Sequence, residues 1–167
     1  MVRAAFVRLL ARVFLKRTTP WIGTTRRADQ EEKVKYDEFI KEVQTRGHME
    51  SRDEAEKATK ATLETLAERL AGGEPHDLAS QLPPELAGYL RYEGEETSDP
   101  FSLDEFFERV TQRDEGVDQP RAVYHARVVM EVLGDAVTQG EMEHVRSQLP
   151  EEYEPLFEAG SQGEMST

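Results

Sequence analysis

The residues in this chain that could do chemistry are four histidines and a scatter of carboxylates. His48, His76, His125 and His144 are its imidazoles, and it has no cysteine. Without thiols, disulfides, thiolate metal sites and a cysteine nucleophile are excluded. A zinc site needs three or four ligands converging on one point, and His48 with Glu50, Asp53 and Glu54 comes nearest to that spacing. Those acids stand at a helix start, where the helix dipole favours them without a metal, so the pattern reads as capping. His76-Asp77 and Glu143-His144 fall on short, exposed helices. His125 reads as a satisfied polar neighbour rather than a general base. The paired carboxylates Asp37-Glu38 and Asp104-Glu105 would suit a symmetric di-metal site. They too sit in first turns, and the expectation is no metal. No phosphate-binding glycine loop, dinucleotide fingerprint, nucleophile elbow or HExxH motif occurs. The chain therefore reads as non-enzymatic, with no catalytic residue and no cofactor.

The elements that carry these residues repeat. Shifting the chain by 67 residues aligns 36–90 with 103–157 without a gap, and 15 of the aligned pairs are identical. They include Asp37/Asp104, Phe39/Phe106, Val43/Val110, Arg46/Arg113 and Leu66/Leu133. The run Ser80-Gln81-Leu82-Pro83 returns as Ser147-Gln148-Leu149-Pro150. Each copy reads as four helices: about 36–46, 52–71, 75–81 and 84–91, then 102–113, 119–138, 141–148 and 151–158. Ser51 with Glu54 and Ser102 with Glu105 match capping boxes. Asp118 is an N-cap with Pro120 in the first turn, and Gly72-Gly73 and Gly140 are stops. Ala55, Ala58, Thr62, Leu66 and Leu70 form one apolar stripe. Ala122, Ala126, Val129, Leu133 and Val137 form the other. Nothing alternates as a strand would. The expected fold is an all-α bundle of two tandem pseudo-symmetric repeats sharing one core, since each copy alone buries little.

Repeat and charge together set the domain boundaries. Residues 34–158 form the body: repeat one at 36–90, an acidic linker at 91–102 and repeat two at 103–157. Residues 159–167 form a disordered tail. Residues 1–33 carry eight basic and three acidic side chains (net +5), leaving 13 basic and 31 acidic (net −18) in the remainder. A body of that charge is repelled by phosphate backbones, so no nucleic acid is expected on it. Few lysines among many acids suit a chain kept soluble in high salt. The head, MVRAAFVRLLARVFLKR at 1–17, is too short and charged to span a membrane and makes a poor secretory signal. It has two readings. One is an amphipathic helix lying on an anionic membrane, with Val2, Phe6, Leu9, Leu10, Val13 and Phe14 on one face. The preferred one is an extension upstream of a natural start at Val34, the residue a GTG codon would appear as. The body is expected in the cytoplasm.

What remains is a surface for a partner. The two Ser-Gln-Leu-Pro runs read first as structural, the leucine packing and the proline starting the next helix, and second as partner edges that offer Gln81 and Gln148. The aromatics Tyr89, Tyr92, Phe101, Phe106 and Phe107 read as anchors of the linker to the core, and as a partner surface where they stay exposed. The favoured function is binding another protein or self-association. The alternatives are a small ligand or substrate held between the repeats, and membrane attachment through residues 1–17.

The opening VKYDEFIKEVQ, the long segment EAEKATKATLETLAERLAGGE and DLASQLPPEL resemble the family called domain of unknown function 2267. FSLDEFFERV, AVYHARVVMEVL and GEMEHVRSQLPEEYEPLF resemble its other half. The likeness covers about 34–158 and implies a small all-helical prokaryotic or archaeal protein. The family carries no settled activity, so it transfers no catalytic residue. Its members open at the YDEF motif, and the basic head departs from them.

The charge distribution generates one prediction. Molar KCl screens the self-repulsion of the acidic body, so its melting temperature is expected to rise between dilute buffer and 2 M KCl on the order of a few degrees. Calorimetry in the two buffers reads it, and an unchanged midpoint removes the high-salt reading.

Overall fold

A computed structural model describes residues 24–70, 74–91 and 100–158. The chain divides after Glu32 into two units, and the body is the second, Lys33–Thr167. Among the described residues every regular element is helical.

Helix α1 spans Thr24–Arg46. It begins upstream of the expected start at 36, because residues 24–35 are mostly good helix formers with neither glycine nor proline. The anticipated boundary between 33 and 34 therefore lies inside a helix. The helix ends where His48 adopts the left-handed region at φ 49°. Gly47 N–H bonds to Val43 O (2.8 Å) and Met49 N–H reaches back to Gln44 O (3.0 Å). That closes the last turn as a Schellman motif does, with histidine at the position glycine usually takes. Met49 is then buried.

Helix α2 spans Arg52–Arg69 and α6 spans Gln119–Ala136, each 18 residues long. Between them lie α3 (Glu74–Ser80), α4 (Pro84–Tyr89) and α5 (Leu103–Arg113). Helix α7 (Gln139–Ser147) and a 3-10 helix (Glu151–Phe157) complete the body. The caps are local. Ser51 Oγ accepts the Glu54 N–H (3.1 Å), Ser102 Oγ the Glu105 N–H (3.3 Å) and Asp118 Oδ1 the Arg121 N–H (3.1 Å). Each satisfies a donor that the first helical turn leaves free. The return arm of the first capping box goes one residue further back, with Glu54 Oε2 accepting from Glu50 N–H (2.9 Å). The last segment is a 3-10 helix, and Pro155 inside it has no N–H to give to either kind of helical ladder. Gly88 stands 67 residues earlier, in α4.

Helices α2, α5 and α6 pack against one another at the centre. Helix α4 lies on α2, the 3-10 helix lies on α6, and α3 meets α4 and α7. The buried apolar residues, from Phe39 to Leu156, form one cluster. Ala55, Ala58, Thr62, Leu66 and Leu70 are all buried, as are Ala122, Ala126, Val129 and Leu133. Val137 is half-buried. Tyr153 closes the far end: fully buried, it donates from its hydroxyl to Phe101 O (2.8 Å), and its ring meets Phe106 edge-on at 5.8 Å. Burial raises its phenol pKa above the ordinary value.

Three threonines of α2 are fully buried: Thr59, Thr62 and Thr65. Thr62 and Thr65 donate to the carbonyls of Ala58 and Ala61 at 2.8 Å. Thr59 Oγ1 has no partner, and a buried hydroxyl left unpaired costs on the order of 1–3 kcal/mol. Thr59→Val keeps the shape and removes that hydroxyl. It is expected to raise stability by about 1 kcal/mol and the melting temperature by about 3 °C. Thermal unfolding checks it, with Thr62→Val, which removes a made hydrogen bond, gaining less.

Candidate functional site

Sequence position alone placed no two of the histidines and acids together in space. The fold brings Asp114, which closes α5, against His125 on α6. Both are 1% exposed, with His125 Nδ1 2.9 Å from Asp114 Oδ2. The carboxylate accepts and the ring N–H donates, which fixes the imidazole and leaves Nε2 to face the other way. There it meets Glu54 Oε1 at 3.8 Å. Glu54 is itself held by Arg121 at 2.7 Å and by the backbone N–H of Glu50. Above this cluster lies an open cleft of about 230 Å³, whose walls include Asp53, Glu54, Lys57, Glu115 and Arg121. Its floor turns at Gly116, where φ of +95° is a conformation that side-chain-bearing residues rarely adopt. The order carboxylate, imidazole, second acid is one that general bases use. Here the ring is enclosed, and the pair ties the end of α5 to α6.

His48, His76 and His144 are exposed. Asp37 is taken up by Arg52 (2.6 Å) and Glu105 by Arg109. A Glu-x-x-His spacing of the helical di-metal kind does occur once, at Glu141 and His144 on α7. Among the described residues no three such side chains converge to hold a metal ion.

The expected partner surface separates into parts. Phe101 is 6% exposed and belongs to the core rather than to the surface. Its ring lies under the Arg109 guanidinium at 4.1 Å, and its carbonyl accepts from Arg69 Nε (3.1 Å) and Tyr153. Tyr89 is half-buried against the core. Burial, and then a hydrogen bond with Tyr89, push the Tyr36 phenol well up. Tyr92 lies outside the described residues, as do residues 1–17 and the tail from 159. Gln81 is exposed but occupied: Oε1 accepts the Thr138 N–H (2.9 Å) at the head of α7, and Nε2 donates to Glu141 Oε2 (3.2 Å). Gln148 is exposed and is not part of the second cleft, of about 420 Å³, which is lined by Arg146, Leu149, Pro150, Glu151, Tyr153, Glu154, Phe157 and Glu158. The Arg146 guanidinium covers one face of the half-exposed Phe157 ring at 4.8 Å. No sequence signal marked this cleft, because Phe157 reads as the apolar end of a helix.

A family profile described as an uncharacterised conserved protein family, DUF2267, matches residues 36–156. The chain belongs to the DUF2267 family. The match spans the DUF2267 body from Tyr36 on α1 to Leu156 in the 3-10 helix; it takes in the cleft over Asp114 and His125 and stops just short of Phe157 and Glu158 in the second cleft. A comparison of this DUF2267 chain with curated proteins finds no match. Among its described residues no helix is long and apolar enough to cross a membrane.

The buried pair generates a prediction. His125→Ala leaves the Asp114 carboxylate buried without a partner and is expected to cost about 3 kcal/mol or more. Arg121→Ala removes a half-exposed ion pair and is expected to cost under about 1 kcal/mol. Urea unfolding of the two variants reads the difference. Equal losses would show that the imidazole does not hold the carboxylate.

Proposed function

We propose that this DUF2267 domain is a protein-interaction module whose docking surface is the cleft between α7 and the 3-10 helix. The observation that carries this reading is the lining of that cleft, where Leu149, Pro150 and the half-exposed Phe157 stand among Glu151, Glu154 and Glu158. Apolar side chains set among charged ones are how peptide-binding surfaces are built. Phe157 supplies an aromatic anchor of the kind that dominates binding energy. The acidic rim fits a partner segment that alternates apolar with basic side chains, and the net charge of −13 steers such a segment toward it.

A second reading rests on a separate observation. The Asp114–His125 pair beneath the smaller cleft would suit a small polar ligand that displaces Glu54. It needs that side chain to move away from Arg121, whereas the larger cleft is open as it stands.

Affinity capture of the full chain, tagged at its C-terminus in its own cells, tests the first reading. The native chain is compared with Phe157→Ser and with Glu151→Lys/Glu154→Lys, each checked for an unchanged melting temperature. A stoichiometric partner held by the native chain and lost by both variants is expected. A partner retained by both variants moves the docking surface elsewhere, and capture of the chain alone sets the reading aside.

A further inference from the structure

The 67-residue offset relates contacts as well as residues. Helices α2 and α6 begin and end 67 residues apart, at Arg52 and Gln119 and at Arg69 and Ala136. Arg46 ends α1 and Arg113 ends α5, again 67 apart. Each arginine crosses to the long helix of the other half. Arg46 pairs with Asp135 at 2.8 Å and Glu131 at 3.2 Å. Arg113 pairs with Glu68, the counterpart of Asp135, and bonds to Thr65 Oγ1 at 2.6 Å. Glu68 also holds Arg109 at 3.1 Å. A third bridge joins Glu54 to Arg121 at 2.7 Å, and these two residues are counterparts of each other. A position that touches its own counterpart lies on a twofold axis, so the two halves are related by a rotation passing between Glu54 and Arg121.

The charges on that axis are opposite. Two first halves would set Glu54 against Glu54, and two second halves Arg121 against Arg121. Only a first half with a second half is matched, and like charges at such a contact act against the wrong pairing. Nothing in that complementarity requires both halves to come from one chain. We propose that DUF2267 chains of this kind associate by exchange, the first half of one chain pairing with the second half of another across the α2–α5–α6 core. Every contact of the closed chain is then kept and only the connection differs, which is the condition for a swapped dimer. A short connection holds a chain's own halves together at an effective concentration of about millimolar. Exchange therefore shows itself on refolding from the unfolded state or in concentrated solution.

Two full-length variants test this. Glu68→Arg faces Arg109 and Arg113 with a like charge, and Arg113→Glu faces Glu68 with one. Alone, each carries its mismatch in every closed or exchanged arrangement. Together they have one arrangement that relieves most of it: the altered first half pairs with the altered second half, where the new charges at 68 and 113 attract and only Arg109, itself held by Glu105, keeps a like-charged neighbour, and the two unaltered halves pair with each other. The variants, one labelled with ¹⁵N, are unfolded, mixed and refolded, then read by light scattering and native mass spectrometry. A dimer of one labelled and one unlabelled chain, melting several degrees above either variant alone, is the expected result. It holds even if neither variant folds by itself. A mixture that yields two separate monomers, or that stays unfolded, overturns the proposal.

Discussion

The structure depends on how closely α2 and α6 can approach. Both long helices present small or β-branched side chains inward: Ala55, Ala58, Thr59 and Thr62 on one, Ala122, Ala126 and Val129 on the other. Small side chains let two helices pack closely, and the bulkier Phe106, Leu63, Leu66, Met130, Leu133 and Tyr153 are fully buried in the same core. A close seam also brings polar groups near the ends of neighbouring helices, so each must be matched. Hence the arginines that close α1 and α5 meet acids on the opposite long helix, and the buried Asp114 needs His125. Threonine is the compromise residue along α2, being small and β-branched but carrying a hydroxyl that has to find a backbone carbonyl.

How much of this was legible in the chain can be argued from particular residues. Helix caps were, because Ser51, Ser102 and Asp118 act on donors two or three residues away, and such contacts are fixed by local sequence. The apolar stripes were, because helical periodicity decides which side chains share a face. The Asp114–His125 pair was not. Its partners stand 11 residues apart across a turn that includes Gly116, and the site 67 residues earlier holds Gly47 and Ala58, so His125 could be read as a satisfied polar neighbour but the repeat named no partner for it. Phe101 was legible in part. Its reading as an anchor of the linker to the core holds, and its reading as partner surface does not. Two arginines, Arg69 and Arg109, come from distant helices to cover it, and no local pattern announces them. Gln81 and Gln148 show the limit of repeat reasoning: identical residues in identical motifs, one occupied at the head of α7 and the other simply exposed.

The two clefts differ in what they ask of the fold. The smaller one is built on a charge cluster that is already internally matched, so anything entering it must replace an existing interaction. The larger one lies where α7 gives way, through Pro150, to the 3-10 helix that holds Pro155, and Phe157 at its end is partly uncovered. A ring left exposed at the end of a domain is surface that further packing within the body does not claim.

Tyr153 and Leu156 are fully buried although they lie close to the C-terminal end of the family match. Their contacts reach back to Phe101 and into the core around α6. During synthesis the ribosome holds the most recent stretch of chain inside its exit tunnel. The body is therefore denied its closing pieces until the segment around Tyr153 has cleared that tunnel. The first half emerges early, with its seam residues uncovered and its natural complement still unmade. The body completes its fold as a whole rather than in the order in which it was written.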